Sequence, residues 1–384
     1  MSIIRYSAIC LFAAGLSLYA QNDPQAPATP APAAPAAPAA PAPPVWSVGP
    51  IDFSGLVDGY YDVNFNHPGP VGADGNQLYN FDTKPNQFGL SMLKFSMSHT
   101  ADPVGFQVDF GFGHAFEIIH GADATATEHI EQAFVSWKPP KGKGFQLDFG
   151  QFVTSAGAEV IESNANWNYS RSILFAWAIP YYHFGARITQ PIGSHFTGGV
   201  QIVNGWNNMV DNNSGKTIGL IGNFTTKKLT WSNNYYTGPE NAGTNSGFRN
   251  LYDTTLLFTP ADKFNAYVNF DYGQNKMVTG KTSTTPSWKG IAFAGKFQMN
   301  GKNALTPRYE WFKDDGGFST GTSQTLQEFT LTYEYKWVEG LLSRIEYRRD
   351  WSNQEFFQRG LIPNASKNQS TLAIAFVAFF GPKR

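Results

Sequence analysis

Several charged side chains recur at spacings that could do chemistry together. The longest connection, FVTSAGAEVIESNANWNYSRSILFAWAIP from Phe152 to Pro180, carries Glu159 and Glu162 three residues apart. Further on, Arg344, Glu346, Arg348 and Asp350 alternate in sign at every second residue, with Ser343, Ile345 and Tyr347 on the opposite parity. Arg308 and Glu310 share that spacing, and His183 and Arg187 lie four apart. The sequence pairs no serine convincingly with a histidine, and it contains no P-loop, dinucleotide fingerprint or G-x-S-x-G elbow. No cofactor is called for. The chemistry on offer is that of fixed charges, which orient dipolar solutes and filter ions when held across a confined aqueous space.

A second cluster, HAFEIIH, places His114, Glu117 and His120 near one another. The spacing is not that of the helical H-E-x-x-H zinc motif, and a metal is not expected there. The only cysteine, Cys10, lies in the N-terminal apolar segment, so neither a disulfide framework nor a cysteine metal site is expected.

The elements that must position the charges are strands. FQVDFGFG at 106–113 returns as FQLDFGQF at 145–152, with Phe on alternate positions and Gln and Asp between. Period-two alternation means one apolar and one polar face. It recurs at Phe53–Phe65, Phe264–Tyr272, Phe329–Tyr335 and Leu372–Phe380. Short turns such as TADPVG and TPADK alternate with long polar connections such as TGPENAGTNSG, giving seven short and eight long connections between 16 strands. An even strand count with two lengths of connection predicts a transmembrane antiparallel β-barrel, with short periplasmic turns and long extracellular loops. Phe would then face lipid, and Gln and Asp the lumen. A soluble β-sandwich or propeller is the rival reading of the alternation.

Composition favours the barrel. Charged residues are 15% of the 384, against about 25% in soluble domains, and aromatic residues are also 15%. Mean hydropathy is −0.30. The first 20 residues, with Arg5 ahead of an apolar run from Tyr6 to Tyr19 and Ala20 as cleavage residue, read as a signal peptide. Residues 21–50 read as a Pro/Ala-rich periplasmic spacer, and 51–384 as the barrel. Arg5 aside, 27 basic side chains stand against 29 acidic ones, so no nucleic-acid partner is implied. Trp137, Phe145, Phe149, Trp231, Trp288, Trp311, Phe379 and Phe380 are expected in interfacial girdles.

The segments FSGLVDGYYDVNFN, EQAFVSWKPPKGKGFQLDFGQFVTSAGAEVIES and SRSILFAWAIPYYHFGARIT, with the closing FVAFFGPKR, resemble the OmpL-like family of β-barrel porins over roughly residues 51–384. The resemblance implies an outer-membrane porin with lipid around it. Many barrels end on an aromatic residue, whereas here Gly381, Pro382, Lys383 and Arg384 follow Phe380.

On this reading the chain is a water-filled channel for passive diffusion of small hydrophilic solutes or ions, without catalytic turnover. The loop 152–180 would fold in as a constriction, bringing Glu159 and Glu162 opposite His183, Arg187, Arg308, Glu310, Arg344, Glu346 and Arg348. Gly111, Gly150, Gly185 and Gly199 on the wet faces are expected to keep the lumen open. A narrow or plugged barrel serving as envelope scaffold or adhesin is the alternative. Monomer and homotrimer are both compatible with the sequence.

Overall fold

A computed structural model of the chain describes residues 47–69, 75–121, 123 and 127–382. The expected signal peptide and most of the expected spacer lie outside the described residues, as do Lys383 and Arg384.

Sixteen long strands follow one another: β1 (Ile51–Asn64), β2 (Phe88–His99), β3 (Val104–Phe112), β4 (Ile130–Trp137), β5 (Gln146–Val153), β6 (Tyr182–Ile192), β7 (Phe196–Val203) and β8 (Thr217–Thr225). The second half comprises β9 (Leu229–Pro239), β10 (Phe248–Ala261), β11 (Phe264–Asn275), β12 (Ser287–Gln298), β13 (Asn303–Asp315), β14 (Gln324–Val338), β15 (Leu341–Ser352) and β16 (Asn368–Phe380). Each pairs antiparallel with the next, and β1 pairs with β16 in the register Gly55↔Phe380 to Asn64↔Thr371, which closes the sheet. Closure leaves no open edge, the condition for strands to cross lipid. No helix among the described residues is long and apolar enough to cross a membrane.

Sidedness settles the rivalry between barrel and sandwich. On β16, Leu372, Ile374 and Phe376 are 40%, 44% and 53% exposed, while the inward Ala375 and Val377 are 0%. Rows of this kind run round the outside, and an apolar exterior of that extent requires lipid rather than water. Inside, the two repeated segments adopt one arrangement. Phe110 and Phe149 point outward, and Asp109 and Asp148 are buried inward. The Gln two positions before each Asp donates to it, from Gln107 and from Gln146.

Two expectations are corrected. Trp288 is not a girdle residue: it shares the inward parity of Gly290, Ala292 and Ala294, is 2% exposed, and donates to the Ala178 carbonyl at 3.0 Å. Gly111 does not widen the lumen. A side chain there would run into the ring of Phe116, which belongs to a one-turn helix, α1 (His114–Ile119), lying against the wall. Gly150, Gly185 and Gly199 likewise sit where a Cβ would meet the backbone of a neighbouring strand. Valine at 111 is therefore expected to displace α1 and destabilise the barrel by about 1–3 kcal/mol, an overpacking cost. The temperature at which the folded, fast-migrating gel band is lost measures this, and an unchanged midpoint would refute it.

His114 and His120 at the two ends of α1 take separate partners, Glu117 and Asp123, each at 2.8 Å.

Candidate functional site

Strands β5 and β6 deliver the two ends of the third long connection, joined where Thr154 N–H donates to the Tyr181 carbonyl at 2.9 Å. From there the chain turns into the barrel and is folded by its own residues. The Asn166 amide donates to the carbonyls of Val160 and Glu162 and accepts from the Val160 N–H. The Arg171 guanidinium gathers the carbonyls of Val160, Ile161 and Tyr169. Ser172 caps a short helix, α2 (Ile173–Trp177), its hydroxyl accepting from Phe175 N–H at 3.0 Å.

A backbone inside a barrel has no ladder and must find other partners for its amides and carbonyls. The inward faces of β13 to β15 provide them. Glu310 accepts from the N–H groups of Ile173 and Leu174 at 3.0 and 3.1 Å, the free donors of the first turn of α2. Glu346 accepts from Tyr169 and Ser170 N–H at 2.6 and 2.9 Å. Arg344 donates to the carbonyls of Ser163 and Asn166, both at 2.6 Å, while Glu334 holds it from behind. Arg348 donates to the Arg171 carbonyl at 2.8 Å and pairs with Asp350. Arg308 is the centre: Glu159 of the loop at 2.7 Å, Glu328 at 2.8 Å and Glu310 at 3.3 Å surround it, and it donates to the Ser170 carbonyl at 2.8 Å.

Six of the nine expected residues thus meet: Glu159, Arg308, Glu310, Arg344, Glu346 and Arg348. Their arrangement differs from an acidic loop facing an open basic wall. Arg308, Arg344 and Arg348 are at most 1% exposed, because buried carbonyls and carboxylates need donors more than the lumen needs a lining. Glu162 stands apart, 17% exposed, in a cluster in which Lys94 is met by Glu162, Glu131 and Asp109. His183 and Arg187 do not face the loop glutamates. His183 bonds the Gly205 carbonyl and stacks on Tyr236, whereas Arg187 pairs with Asp148 and lies over the Phe152 ring.

The first long connection also contributes, although its polar composition reads as an outer loop. Tyr79 lies under the Arg348 guanidinium and reaches Thr371, Phe81 meets Phe175 edge-on, and the Leu78 carbonyl accepts from Trp177 Nε1 at 3.3 Å. Trp206, Trp288 and Phe318 add a further ring cluster, so several connections share one apolar core inside the barrel. Beside it, the loop residue Glu240 accepts from Trp206 N–H and the Thr217 hydroxyl; burial pushes its carboxyl up, with Arg249 opposing.

A cleft lies between loop residues 157–159 and 166–167 and Thr230, Ser232, Thr255, Leu257 and Tyr267 on the inward faces of β9, β10 and β11.

Solved outer-membrane proteins have a similar fold. OmpT of Vibrio cholerae superposes with a TM-score of 0.57 at 12% identity, covering 86% of this chain and 97% of that one. The outer membrane channel DcaP of Acinetobacter baumannii gives 0.57 at 12%, with 86% and 97% covered. The anion-selective porin from Comamonas acidovorans gives 0.56 at 10%, with 86% and 99% covered. At such identities the likeness concerns the fold. No curated protein matches the chain in sequence. The family described as "Putative beta-barrel porin-2, OmpL-like" matches residues 50–380 in sequence, nearly the whole closed sheet, and the chain belongs to it.

Proposed function

We propose that the chain forms a water-filled outer-membrane channel for passive diffusion of small hydrophilic solutes, with the third loop as its constriction. The observation that carries this reading is the docking of the loop backbone on β13 to β15 by Arg308, Glu310, Arg344, Glu346 and Arg348. On this reading the loop narrows the lumen from the side of β13 to β15, and solutes pass by the cleft along β9 to β11. Solutes cross by sieving and electrostatic steering, without turnover, and an N-terminal signal directs export. A homotrimer is the proposed assembly; one similar solved structure, a Vibrio cholerae OmpT, is described as a trimer form.

Single-channel conductance in a planar bilayer under a salt gradient tests this. Discrete ohmic steps are expected. Glu162→Gln should move the reversal potential toward anions, because Glu162 is the most exposed of the three carboxylates around Lys94. An unmoved potential would take Glu162 out of the current path. The apolar core shared by the loops favours a second reading, a plugged barrel acting as envelope scaffold. Folded, inserted protein without steps would select it.

A further inference from the structure

We propose that the cleft between the third loop and β9 to β11 is a subsite for an uncharged, ring-shaped polyhydroxy solute passing through the barrel; this rests on the channel reading above. Its floor is aromatic and aliphatic. Trp167 from the loop and Tyr267 from β11 stand 5.3 Å apart with planes tilted by 39°, and Leu257 adjoins them. Such a surface accepts the C–H face of a sugar ring.

Its polar groups complete the match. Tyr267 and Thr255, residues 6% and 8% exposed, belong to the lining, and their hydroxyl oxygens are buried without a hydrogen-bond partner among the described residues. Buried hydroxyls call for partners, and each of these can donate and accept, as solute hydroxyls do. Ser232 adds another hydroxyl to the lining.

Charge argues for a neutral guest. Among the described residues Glu159 is the one carboxylate of the lining, and its two oxygens are already taken, by Arg308 Nη1 at 2.7 Å and Ser172 N–H at 2.6 Å. No lysine or arginine among the described residues lines the cleft. A charged solute would be desolvated there without an ionic partner.

The test titrates D-glucose, and separately D-glucuronate, against the single-channel current of the purified protein, each variant scaled to its own sugar-free conductance. Glucose should reduce the current saturably, and glucuronate should need a higher concentration. Trp167→Ala should raise the half-blocking glucose concentration about tenfold, equivalent to ~1.4 kcal/mol. Tyr267→Phe, which keeps the ring and removes only the hydroxyl, should raise it less. Retained heat-modifiable migration shows that each variant folds. Conductance steps with no saturable block, or with equal block in both variants, overturn this proposal and leave the channel reading standing. Absence of steps overturns the channel reading; glucose-dependent tryptophan fluorescence in detergent then decides the cleft. A saturable change lost in Trp167→Phe supports the subsite, and no change refutes it.

Discussion

Replacing Arg308 by methionine is expected to destabilise the barrel by about 3–5 kcal/mol, the cost of stripping the counter-charge from a buried ion cluster. Three carboxylates share this guanidinium, those of Glu159, Glu310 and Glu328, and the side chain is 0% exposed. Without it they must take up protons or water, and the Ser170 carbonyl loses its donor. Glu159 is the loop's only direct ion pair with Arg308, so the loop should loosen as well as the wall. Lysine should rescue poorly, because one ammonium cannot reproduce a planar fork that reaches Glu328 on one side and Glu159 on the other. Thermal loss of the folded gel band reads the stability, and current noise in the bilayer reads the loop. A methionine variant as stable and as quiet as the parent would show that the cluster is dispensable.

The second large effect concerns the loop as a whole. Excising residues 160–178 and bridging the gap with a short Gly/Ser linker should raise unitary conductance at least about threefold, since a constriction rather than the barrel wall limits current. The barrel is expected to survive the excision. Its strand ladder is complete without the loop, and Arg308, Arg344 and Arg348 would exchange carbonyl partners for water while keeping Glu328, Glu334 and Asp350. Unaltered conductance would mean that current does not pass the loop at all.

How far the sequence reaches can be judged from particular residues. Parity in a strand is legible, since side chains alternate strictly between faces, and it places Arg344, Glu346 and Arg348 inward and Ile345 and Tyr347 outward, as found. Trp288 was legible by the same parity; grouping it with the girdle residues by its place at a strand end overrode that signal. Azimuth is a different matter. His183 and Arg187 do face inward, but nothing in an alternating pattern tells where round the barrel β6 stands relative to the loop. The partners Asp148 and Gly205 come from neighbouring chain, and a one-dimensional pattern cannot rank them above Glu159. Lys94 had the inward parity of Ser96 and Ser98 but no charged neighbour in sequence to draw attention. In the first connection, the apolar run at Leu78, Tyr79 and Phe81 was the available sign that this polar stretch packs inside.

The docking of the third loop also bears on how the cylinder could come apart. Its first and last strands meet at a seam held by one ladder, the place where a barrel zipped up hairpin by hairpin would split most readily. Tyr169 of the loop donates to Asp58 on β1 at 2.9 Å, while Asn168 donates to Thr332 on β14 and Arg348 on β15 holds the Arg171 carbonyl. The loop therefore spans β16 from within and straps both banks of the seam together. Parting β1 from β16 requires breaking the ladder and unfastening the strap, so the docked loop also locks the cylinder against opening sideways into lipid.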